Sequence, residues 1–156
     1  MRWRFVDRIL FFEPWKRLIA LKACSLEEYS LLERWGRPGI APGILILESG
    51  IQAARWLVEA SSGFASGMDV REISRWRAEE GLSPGERLRM DVTVAAISGD
   101  DIHFSVRLTR IAPGDPGQAE PREAGEPGLV FAASLAPLQG RDVPRDREAL
   151  WNELRV

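Results

Sequence analysis

The chain is 156 residues long, enough for one domain with a sizeable core, and its 21 basic and 23 acidic side chains leave a formal net charge of −2. That balance gives no electrostatic footprint for nucleic acid or for an anionic membrane surface. One cysteine, Cys24, excludes an intrachain disulfide, and with one histidine, His103, no zinc set can be assembled. Neither a metal nor another cofactor is therefore expected.

Asp7, Arg8 and Glu13 interrupt the apolar N-terminal run, so no secretory leader is read there and no stretch is long enough to span a bilayer. A soluble, cytoplasmic protein is expected. Residues 5–12 are rich in β-formers, and Pro14, Trp15 and Lys16 can turn the chain into a second strand over 17–24. Ser25 with Glu28 makes a capping box, predicting a short helix over 26–33. Gly36, Pro38, Gly39, Pro42 and Gly43 form an irregular turn. The main helix is expected over 44–60, with two opening turns apolar nearly all round, the pattern of a helix buried on every side.

Strands follow. Residues 68–77 give the weakest strand pattern, while 88–96 and 102–109 alternate cleanly about a turn at Ser98, Gly99 and Asp100. The stretch 112–127 reads as a flexible hairpin loop, and 129–136 as a further strand. In the tail, 145–156, Leu150, Trp151 and Leu154 recur at helical spacing, which suggests a short helix docking on the domain or on a partner. The expected class is α+β, an antiparallel run of strands wrapped around one long helix.

The segment RWGRPGIAPGILILESGIQ, from Arg34 to Gln52, resembles the active-site segment of the hot-dog-fold 3-hydroxyacyl-ACP dehydratases of fatty-acid synthesis. Val6, Asp7, Arg8 and Ile9 before it, and Ser83, Pro84 and Gly85 after it, extend the resemblance over most of the chain. The resemblance implies a single hot-dog domain over 1–156 and, in fatty-acid or polyketide synthesis, thioesters of acyl carrier protein or coenzyme A as partners. It also implies a tunnel completed across a homodimer or a hot-dog heterodimer. Gly43, Glu48 and Gln52 fall in register with the family's glycine, carboxylate and glutamine, whereas the family's histidine position holds Arg34.

Dehydrating a 3-hydroxyacyl thioester needs a base for the proton beside the carbonyl, an acid for the departing hydroxyl, and a donor for enolate-like charge. By the resemblance, the Gly43 N–H would bind the thioester carbonyl, although a glycine after Pro42 also serves simply as a helix start. Glu48 and Gln52, one turn apart, can face one pocket. Glu48 would then be the proton-transferring group; a purely structural ion pair is the alternative. A guanidinium stays protonated, so Arg34 cannot replace a histidine base. By the resemblance it would instead pair with Glu48 of a second subunit; the alternative is a solvated Arg34 and a rebuilt tunnel floor. A shifted register aligning Gly36, Arg37 and Pro38 with the family's Gly-Arg-Pro places Glu33 at the histidine position.

Trp35 beside the turn is a candidate for the tunnel wall, whereas Trp56 and Trp76 are read as packing residues. His103 falls on the polar face of its strand and is expected at the surface. Three functions stay open: a dehydratase-like protein (a hydro-lyase if active), a thioesterase using Glu48, and a non-catalytic acyl-binding subunit of a hot-dog heteromer.

Overall fold

The computed structural model describes residues 5–25, 43–77, 82–115, 127–138 and 146–155. In chain order these form β1 (Arg8–Glu13), β2 (Arg17–Ala23), α1 (Gly43–Ser61), β3 (Ser66–Trp76), β4 (Arg87–Ser98), β5 (Asp101–Ile111), β6 (Leu129–Pro137) and α2 (Asp146–Leu154). The helix expected over 26–33 and residues 116–126 of the expected loop lie outside the described residues. All six strands join one sheet in the order β1-β2-β4-β5-β6-β3, and every pairing is antiparallel.

Period-two alternation decides which side of the sheet meets α1. Leu18 and Ala20 of β2 lie opposite Val92 and Met90 of β4, and Val92 lies opposite Val106 of β5. Val106 in turn faces Leu129, and Phe104 faces Phe131 across β5 and β6. All eight are buried, with the Phe104 and Phe131 rings stacked 4.9 Å apart. On α1 the matching stripe is Ile46, Gly50, Ala53 and Leu57, spaced at helical period and buried. Gly50 lets the helix sit close: a methyl group there would meet Leu129 Cδ2 at 3.0 Å and Val106 Cγ1 at 3.6 Å.

One expectation fails at the start of α1. Its opening turns are not buried on every side: Ile44 is 61 % exposed, and Leu45, Leu47 and Glu48 are only half-buried. A single sheet layer covers one side of a helix, and Ile44 lies roughly 200° around the axis from Ile46 at about 100° per residue. His103 is exposed, as its strand position implies. Among the described residues no helix is long and apolar enough to cross a membrane.

The tail forms α2 and docks at the C-terminal end of α1. Trp151 enters an aromatic cluster with ring centroids 4.9 Å from Phe12, 5.9 Å from Trp56 and 6.4 Å from Phe64. Arg155 then makes a parallel bridge to Ile9 on the outer side of β1. The β1–β2 turn is tied to the same region. Trp15 sits at φ 57°, a left-handed conformation uncommon for a bulky residue, and its N–H donates to Ser61 Oγ at 2.8 Å. Replacing Trp151 with alanine empties the middle of this cluster and should cost about 3–5 kcal/mol of stability. Chemical denaturation checks this, with the midpoint falling while the secondary-structure content at low denaturant is kept.

Candidate functional site

The α1 face turned away from the sheet carries the polar residues. Glu48, Gln52, Arg55 and Glu59 follow one another at spacings of four, three and four, so they form one stripe diametrically opposite Ile46, Gly50, Ala53 and Leu57. Gly43 opens the helix ahead of them, where the first N–H groups have no intrahelical acceptor and the positive end of the helix dipole emerges.

Gln52 organises the stripe. Its Nε2 donates to Glu48 Oε1 at 3.0 Å, and its Oε1 accepts the Phe5 backbone N–H at 3.2 Å. These bonds fix which end of the amide faces the carboxylate. They leave Glu48 Oε2 free of hydrogen-bond partners among the described residues, on a half-buried side chain within reach of solvent. The carboxylate and amide expected on one face are therefore brought together. Gly43 lies on the same helix, about one and a half turns before Glu48 and two and a half before Gln52. Glu33, Arg34 and Trp35 lie outside the described residues.

Two features of the stripe were missed by sequence reasoning. Glu59, only 3 % exposed, pairs with Arg147 of α2; its Oε2 and the Arg147 Nη1 meet as ions rather than in an aligned hydrogen bond. The Arg147 guanidinium also lies over the Trp56 ring at 5.4 Å. Between Gln52 and Glu59, Arg55 has its Nε shut off from solvent with no hydrogen-bond partner. The spacing of these polar residues was visible in the sequence. Their partners were not, because Phe5 and Arg147 are distant along the chain.

The buried acid of the sheet is accounted for structurally. Asp91, on the face away from α1, receives Arg17 Nε at 2.8 Å and Nη2 at 2.5 Å. That hydrogen-bonded pairing raises the Arg17 guanidinium above its ordinary range, against the opposing effect of burial. Among the described residues no three His, Cys, Asp or Glu side chains gather as metal ligands.

No protein-family model matches the chain. It is 34 % identical over 98 residues to the 3-hydroxyacyl-[acyl-carrier-protein] dehydratase FabZ of Anaeromyxobacter sp. (strain K), covering 60 % of this chain and 63 % of that one. It is 32 % identical over 93 residues to the FabZ dehydratase of Symbiobacterium thermophilum, covering 59 % and 66 %. The chain thus spans just under two thirds of the length of these curated relatives. Among solved structures, a Streptococcus mutans protein bound to acetyl-CoA matches with a TM-score of 0.60 at 14 % identity, covering 88 % of this chain and 94 % of that one. A hot-dog-like protein of Thermanaerovibrio acidaminovorans matches with a TM-score of 0.55 at 12 % identity, covering 81 % and 85 %. The sheet wrapped on α1 is the hot-dog fold.

Gln52→Leu removes the donor to Glu48 and the side-chain acceptor of the Phe5 N–H. The expected loss is about 1–3 kcal/mol of stability, the scale of losing one charge-assisted and one neutral hydrogen bond. Thermal unfolding measures the loss, and accelerated hydrogen exchange at the Phe5 amide locates it.

Proposed function

Taking this chain as a hot-dog-fold protein of the 3-hydroxyacyl-ACP dehydratase-like family, we propose that it binds acyl thioesters, of acyl carrier protein or coenzyme A, on the outward face of α1 at its N-terminal end. The observation that carries the reading is the Glu48–Gln52 pair, held by the Phe5 main chain on the helix that Gly43 opens. In this reading the Gly43 N–H donates to the thioester carbonyl and stabilises negative charge developing on its oxygen. Glu48 exchanges protons with the acyl group through Oε2, while Gln52 holds Oε1 and so fixes the direction in which the free oxygen points.

The family's second proton carrier is replaced. Arg34 stays charged, so its contribution is electrostatic: it pairs with the Glu48 carboxylate of a second copy or with the enolate-like oxygen. In the shifted register Glu33 takes the base position, and Trp35 lines the acyl path in either register. A thioesterase reading has one observation in its favour. A half-exposed carboxylate with one free oxygen can activate a water molecule for attack on the thioester carbonyl and needs no histidine.

Pairing of two copies through β3 fits the same proposal. β3 is an edge of the sheet, 11 residues long, with Ile73 41 % exposed and no further strand beyond it among the described residues. Light scattering should give twice the 17.5 kDa chain mass, and Ile73→Lys should shift the protein to monomer. A wild-type monomer removes both the β3 interface and the Arg34–Glu48 pairing.

Mass spectrometry of 3-hydroxyacyl thioesters incubated with the protein separates the chemistries. An enoyl thioester means dehydration, free acid means hydrolysis, and saturable binding with intact thioester means a binding subunit. Glu48→Gln should abolish any turnover, and full activity in that variant would remove Glu48 from the mechanism.

A further inference from the structure

The stripe on α1 contains an electrostatic asymmetry. A pair such as Arg55 and Glu59, four residues apart on a helix, ordinarily neutralises itself. Here Arg147 reaches across from α2 and takes the Glu59 carboxylate. Gln52 engages Glu48 on the other side. Arg55 is left with no hydrogen bond or ion pair to any described residue, its Nε sealed from water and its side chain half-buried. A guanidinium cannot escape this by losing its proton. Partial desolvation of an unpaired cation costs free energy that an incoming anion recovers.

The position of Arg55 says which anion that is. It lies on the same helix face as Glu48, about 10 Å further along the axis at roughly 1.5 Å per residue. Helix side chains lean toward the N-terminus, so the guanidinium is carried back toward Gln52 and Glu48. An acyl group whose thioester end is held at Gly43 and Glu48, and which follows the outward face of α1, therefore meets Arg55 in its distal part. A plain hydrocarbon tail would cover the cation and desolvate it further without compensation. A tail ending in a carboxylate would supply two acceptor oxygens in the geometry a guanidinium matches.

The geometry points to Arg55 as a distal specificity residue that selects acyl thioesters carrying a carboxylate on the far end of the acyl chain. This rests on the acyl-thioester reading above and adds the substrate class. Arg55 binds and positions the tail; it takes no part in proton transfer. The Glu59–Arg147 pair acts behind it, by keeping the one neighbouring carboxylate on α1 from occupying it.

The test compares octanoyl-CoA with suberyl-CoA, the same carbon chain ending in a carboxylate, by titration calorimetry on the full chain. The coenzyme phosphates are common to both ligands, so their contribution cancels. Suberyl-CoA should bind on the order of tenfold more tightly, the scale of one charge-assisted contact. Arg55→Gln should bring the two affinities together, and Arg55→Lys should keep the preference at reduced size. Equal affinities in the wild-type protein, or a suberyl preference that survives in Arg55→Gln, would overturn the assignment and leave the acyl-thioester reading standing. Binding of neither ligand would overturn that reading, and this one with it. The wild-type comparison holds its force even if Arg55→Gln proves unstable.

Discussion

One sheet can cover only one side of a helix, and this limit shapes the rest of the molecule. The sheet takes the stripe of Ile46, Gly50, Ala53 and Leu57, with Gly50 drawing α1 against Leu129 and Val106. The opposite stripe must be closed by other parts of the chain, and it is there that charged and amide side chains accumulate. The N-terminal segment reaches it at Gln52 through the Phe5 N–H, and α2 reaches it at Glu59 through Arg147. Glu48, Gln52 and Arg55 stay half-buried, while Glu59 is fully covered. In this sense the candidate site lies on the face of α1 that the sheet does not cover.

The two ends of that stripe are stabilised by different physics. At the Gln52 end a neutral amide satisfies one backbone donor and one carboxylate oxygen, a low-cost arrangement that keeps Glu48 oriented. At the Glu59 end the ion pair to Arg147 lies against Trp56, whose ring packs in turn on Trp151 of the aromatic cluster. Ion pairs of this kind contribute little net stability, because desolvating both charges offsets their attraction. The aromatic burial holds α2 in place, and the ion pair fixes its register on α1.

The parts of the fold legible in sequence were those set by local periodicity. The strands over 88–96 and 102–109 were clear because every second side chain is apolar, and the turn at Gly99 is held at φ 59°, where glycine is unstrained. β3 read weakly because its register slips twice against β6, between Val70 and Glu72 and again between Ile73 and Arg75, which breaks the alternation. The burial of the opening turns of α1 was overestimated, since an apolar composition does not say how many sides a neighbour covers. Glu48 and Gln52 were legible as a pair from their spacing alone. Arg55 and Glu59 were not, because their meaning depends on Arg147, far along the chain, and no local pattern encodes that meeting.

The bridge between Ile9 and Arg155 bears on how copies of the chain can associate. β1 is six residues long, its register slips between Ile9 and Phe11, and the polypeptide just beyond α2 docks on its outer side. Among the described residues the sheet is thus obstructed at one margin and open along β3 at the other. Joining two open margins about a twofold axis consumes both of them and presents only obstructed ones outward. In the proposed dimer, growth by sheet addition would then have a built-in stopping point, and the long exposed strand would be spent on one partner.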